Sequence, residues 1–154
     1  MRAWFLVLAV ACAAQPPPLA NVTIPSRATD PELDALGFLD GCWHQWSVDW
    51  GFTWCWKRDG SRWRGSFTSH GPMGPHWTAA LQIERGARTL ELRTGKTESP
   101  WFAGMARVAM SRRTERGVTF GTLRFELDPR EGELLFFQLD RGTRPYRLRA
   151  SSAR

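Results

Sequence analysis

Six of the twenty-one residues between Trp43 and Trp63 are tryptophan: Trp43, Trp46, Trp50, Trp54, Trp56 and Trp63, with Trp77 and Trp101 beyond. Each indole buries roughly 150–250 Å² and carries an N–H that needs an acceptor. A chain of 154 residues has few ways to house so many. Two are economical: a barrel lined with indoles, or a surface shaped to meet something flat and apolar.

The spacing decides the secondary structure. From Trp43 onward apolar residues recur every second position, the signature of strands rather than helices. Trp77, Ala79, Leu81 and Ile83 share a face opposite Thr78, Gln82 and Glu84; Trp63, Gly65 and Phe67 oppose Arg62, Arg64 and Ser66. Nine strands follow: Gly41–Asp49, Phe52–Lys57, Ser61–Thr68, His76–Glu84, Arg88–Thr94, Phe102–Met110, Val118–Leu127, Glu133–Leu139 and Arg144–Ala150. Turn sequences such as Arg58-Asp59-Gly60-Ser61, Asp128-Pro129-Arg130-Glu131-Gly132 and Asp140-Arg141-Gly142-Thr143 separate them. In Val118–Leu127 the apolar parity switches at Gly121, which predicts a bulge. The one helical candidate is Asp30–Leu36, with Asp30 as N-cap and Pro31 at the first position. Many short strands without crossover helices predict an all-β fold, an antiparallel up-and-down barrel of about eight to nine strands spanning residues 31–150. A barrel of this size is either filled by side chains or holds one small ligand.

The beginning of the chain reads as export machinery. MRAWFLVLAVA has one Arg, an apolar run too short to cross a bilayer, and small residues, the layout of a signal peptide over 1–11. Leu8-Ala9-Val10-Ala11-Cys12 resembles a bacterial lipobox, which implies lipidation of Cys12; its Leu stands one place earlier than the family pattern has it. Residues 12–30 hold Pro16, Pro17, Pro18 and Pro25 and little to bury, a polyproline II tether with a reach of ~3.1 Å per residue. The expected location is the bacterial cell envelope, in the periplasm or anchored by lipid to the outer membrane.

Export also bears on the cysteines. With Cys12 cleaved away or lipidated, Cys42 and Cys55 remain, and exported thiols tend to pair. The bridge sets a ruler for facing. If Phe52, Trp54 and Trp56 point inward, Cys55 points outward, and a directly opposed Cys42 must do the same. That turns Trp43, Gln45 and Ser47 inward. The expected ligand-lining residues are therefore Trp43, Gln45, Trp54, Trp56, Trp63, Phe67 and Trp77, whereas Trp46 and Trp50 form an outer patch.

Little else in the chain points to chemistry. The net charge of +6 is concentrated in residues 107–154, with eleven basic and six acidic side chains. Solvent-facing arginines on strands account for it, although a basic face also attracts anionic lipid. Export removes nucleic acid as a partner. His44, His70 and His76 occur without a nucleophile, paired carboxylates or zinc-ligand spacing, so neither an enzyme nor a metal or cofactor is expected. His70 and His76 bracket Gly71-Pro72-Met73-Gly74-Pro75, read as a plain turn at the barrel mouth rather than a copper site.

Phe38-Leu39-Asp40-Gly41-Cys42-Trp43, a short helix running into Gly-x-Trp at the first strand, resembles lipocalin-like and fatty-acid-binding-like bacterial domains. The resemblance covers residues 31–150 in pattern and this hexapeptide by residue. It implies that Trp43 plugs the closed end of a barrel, with Arg147 or Arg149 packed on it. The chain departs from haem-binding barrels with G-x-W-x-G-x-G, reading Gly41-Cys42-Trp43-His44-Gln45-Trp46-Ser47, and lacks a histidine in its C-terminal half. Haem is therefore disfavoured. The expectation is an exported barrel that binds a small apolar or amphiphilic molecule, with Gln45 or Ser47 orienting it. The alternative is a barrel filled by its own aromatics that acts as an envelope interaction module with a protein partner.

Overall fold

A computed structural model describes residues 30–142 and 144–151. The signal segment, the tether before Asp30 and Cys12 lie outside the described residues. The strands are β1 (Gly41–Trp46), β2 (Gly51–Asp59), β3 (Arg62–Gly71), β4 (Gly74–Arg85), β5 (Leu90–Thr94), β6 (Arg107–Thr114), β7 (Gly117–Phe120), β8 (Leu123–Asp128), β9 (Glu133–Gln138) and β10 (Tyr146–Ala150). Each pairs antiparallel with its neighbour in sequence, and β10 returns to β1, closing the barrel.

Ten strands form where nine were expected, because Val118–Leu127 is two strands. Phe120 pairs with Leu123, leaving Gly121 and Thr122 as a two-residue hairpin turn. Gly121 has φ +54°, a conformation that costs glycine least. The parity switch marks this turn rather than a bulge. The strand expected from Phe102 also begins later, at Arg107, since Pro100–Phe102 coils into a 3-10 turn capped by the Ser99 hydroxyl.

One end of the barrel is closed by helix α1 (Pro31–Asp34) and a 3-10 turn at Gly37–Leu39. The Asp30 carboxylate accepts from the N–H groups of Glu32 and Leu33 and so caps α1. Leu33, Leu36 and Leu39 are buried against the barrel floor. Two indoles from the strands hold this plug in place. Trp63 Nε1 donates to the Leu33 carbonyl at 2.7 Å, and Trp43 Nε1 to the Leu39 carbonyl at 2.9 Å. Around the edge, Arg58 pairs with Asp34, and Arg85 with Asp30 and Glu32.

Trp43 thus ties the plug down, but Arg147 and Arg149 do not cover it. Both reach Glu133, and Arg147 also reaches Asp128. The guanidinium that stands over an indole at this end is that of Arg58, 5.9 Å from the Trp63 ring.

Candidate binding site at the open end of the barrel

Cys42 lies directly opposite Cys55 and the two are disulfide-bonded on the outer wall. The ruler holds: Trp43, Trp54, Trp56, Trp63 and Phe67 all face inward and are buried. Their neighbours show what fills the interior. Trp54 packs on Phe67 at 4.8 Å between ring centroids, on Phe125 and Phe136 at 5.0 Å each, and on Phe102 at 5.8 Å. Trp56 lies parallel to Trp54 and covers Gly65, whose missing side chain makes the room; a Cβ there would overlap the Trp56 ring. Spacings of this order are direct van der Waals contact between rings. This part of the interior is a packed aromatic core.

Sequence reasoning missed how the open end is stopped. After β5 the chain crosses the mouth and drops two rings into it. Phe102 is buried between Trp54 and Phe67, and Trp101 packs above Phe52, Phe67 and Phe136 at 5.4–5.7 Å. The available signal was Ser99-Pro100-Trp101-Phe102, a capped turn carrying two aromatics inside a long connection.

Three of the expected residues are placed differently from the parity reading. Trp77 continues the inward face of Ala79, Leu81 and Ile83 but stands above the filled core, 40% exposed at the rim. Trp50 is 42% exposed, yet it touches the inward rings of Phe52 and Tyr146 at 5.8 and 6.0 Å, so it belongs to the mouth and not to an outer patch. Ser47, expected inward, lies in the β1–β2 turn with its hydroxyl donating to the Trp50 carbonyl. Trp46 is on the outside as the ruler requires, 61% exposed and packed on His70 at 4.9 Å. Gln45 faces inward with Oε1 buried and unpartnered.

These placements reveal a polarity along the barrel axis. In an up-and-down barrel the β1–β2, β3–β4 and β9–β10 connections all lie at the end opposite the helical plug. Among the described residues the exposed large hydrophobics are Trp46, Val48, Trp50, Met73, Trp77 and Leu139. Every one is on those connections or the strand ends next to them. The plugged end carries none of the six. Apolar side chains scattered singly over a surface need no explanation, but a set confined to one end does.

The histidines belong to the same end. His44 Nδ1 and His70 Nε2 lie 2.8 and 3.3 Å from the Thr53 hydroxyl on the outer wall, while His76 packs beside Trp77. No group of three metal-ligating side chains occurs among the described residues. Comparison with protein-family models, with curated proteins and with solved structures found no match for this chain.

Proposed function

We propose that this is a lipocalin-like binding protein of the bacterial cell envelope that engages an apolar or amphiphilic molecule at the open rim of its barrel. Residues 1–11 direct export and Cys12 carries the lipid anchor. The observation that supports the reading is the confinement of Trp46, Val48, Trp50, Met73, Trp77 and Leu139 to one end of the molecule. Tryptophan suits such a rim because its ring is apolar while its N–H remains wet, the pairing an amphiphile or lipid surface presents in mirror image.

A ligand held in the barrel centre would have to displace Trp54, Phe67 and Phe102 from one another. Shallow binding above them costs no such repacking. The rim therefore takes over the role first expected of the lumen, and Trp43, Trp54, Trp56, Trp63 and Phe67 are its rigid support.

Native mass spectrometry of protein purified from its own host should show a co-purified amphiphile. Tryptophan emission should shift to the blue on titration with dodecyl-chain amphiphiles. The double variant Trp50→Ala/Trp77→Ala should lose the shift while keeping the circular dichroism of the folded barrel. A ligand-free mass together with unchanged emission would sink the reading.

A further inference from the structure

The aromatic rim borders a pocket of different character. Gln138, Arg141, Arg144 and Tyr146 line a cavity of about 450 Å³ where β9 passes into β10. That volume lies in the range of small-molecule sites. Neither Arg141 nor Arg144 has an acidic partner among the described residues, in contrast to Arg147 and Arg149 on the following strand, which pair with Glu133. Gln138 is only 4% exposed, and its Oε1 is buried with no hydrogen-bond partner. That oxygen is an acceptor and offers nothing to an anionic head, so the donors of the pocket are the two guanidiniums. Tyr146 joins the two surfaces. It lines the polar pocket, while its ring lies 6.0 Å from Trp50 and 5.5 Å from Trp101.

We infer that this pocket takes the anionic head, a carboxylate or phosphate, of an amphiphile whose apolar part lies across Tyr146 and Trp50. The inference rests on the rim reading above and adds the head-group chemistry to it. Two planar guanidiniums provide forked donors that match carboxylate or phosphate oxygens. The tail then finds aromatic rings next to the head without entering the packed core.

The test uses the full chain and three probes read by tryptophan emission and calorimetry: dodecanoate below its micelle concentration, dodecyl maltoside with the same tail and a neutral head, and inorganic phosphate. Wild-type protein should bind dodecanoate about tenfold or more tightly than dodecyl maltoside, with the preference shrinking as salt is added. The double variant Arg141→Gln/Arg144→Gln should lose that preference and keep wild-type affinity for dodecyl maltoside. Its melting temperature should be unchanged, since both side chains are exposed. Retention of the preference in the double variant would overturn the head-group site. So would phosphate binding as tightly as dodecanoate, which would make the site one for a free anion. Equal wild-type affinity for the two amphiphiles refutes the head-group inference and leaves the rim reading standing. If neither amphiphile binds, both fall.

Discussion

Trp63 and Trp54 are sealed into the same barrel, yet their indole N–H groups fare differently. Trp63 donates to the Leu33 carbonyl, whereas Trp54 Nε1 is buried with no partner. Replacing either by Phe removes similar ring area, but only Trp63→Phe also removes a hydrogen bond to the plug, whereas Trp54→Phe removes a buried N–H that has no partner. The cost of Trp63→Phe in urea unfolding should exceed that of Trp54→Phe by about 1–3 kcal/mol; equal costs would show that the bond to the plug contributes nothing. Gly65 sets the opposite limit. Because Trp56 occupies the space above it, Gly65→Ala should overpack the core and lower stability by roughly 1–3 kcal/mol, with a matching drop in melting temperature. Parity alone placed Trp43, Trp54, Trp56, Trp63 and Phe67 on the inner face. It did not reveal that Trp54 touches Phe125 and Phe136 and that Trp56 touches Phe125, rings that lie far along the chain on β8 and β9.

Among the elements, β1 is held unevenly. It shares six registered pairs with β2 but only two with β10, Trp43 with Ala150 and His44 with Arg149. The Cys42–Cys55 bridge pins β1 to β2 beside that short seam. Removing it with Cys42→Ala/Cys55→Ala should lower the unfolding free energy measured in urea by about 3 kcal/mol on the chain-entropy model, without loss of the barrel signature in circular dichroism. Hydrogen exchange should then quicken first along β1 and β10, and a uniform increase around all ten strands would contradict this account. The short helix was legible because its signals are local, Asp30 as cap and Pro31 in the first turn, but its role as a plug was not. The β7–β8 hairpin was not, because a parity switch at glycine reads alike for a bulge and a two-residue turn. Only the pairing of Phe120 with Leu123 separates them.

At the scale of the whole molecule, ion pairs between strands and around the plug set the response to acid. The carboxyls of Asp30, Glu91 and Glu133 are held below their ordinary range chiefly by hydrogen bonds from Arg85, Arg107 and Arg147 respectively. Asp128 is lowered first by the backbone N–H of Arg130. A carboxylate with a depressed folded pKa binds fewer protons in the folded state than in the unfolded one. Its contribution is therefore complete above the ordinary value near 4 and disappears as pH falls through the lowered one. The melting temperature should be flat from about pH 7 to 5 and fall progressively below 4. Glu133→Gln should make that fall shallower, because Arg147 and Arg149 no longer lose a charged partner on acidification. A melting temperature constant between pH 5 and 2 would contradict this.

The sequence by itself determined that the chain is an antiparallel barrel, that a short capped helix precedes its first strand, and that Trp43, Trp54, Trp56 and Trp63 face inward. Those properties follow from short-range rules: period-two alternation, turn and cap residues, and a disulfide between directly opposed strands. Only the tertiary structure decided that the inward aromatics fill their interior, that Trp50 and Trp77 stand at the rim, and that Arg141 and Arg144 have no acidic partner among the described residues. Parity tells which side of a strand a residue occupies but not how far along the barrel axis it stands. Depth depends on strand stagger and on what the distant loop at Ser99–Phe102 drops into the mouth. Apart from Trp50, the tryptophans were thus readable as inside or outside, and became core or rim only once the barrel closed around them.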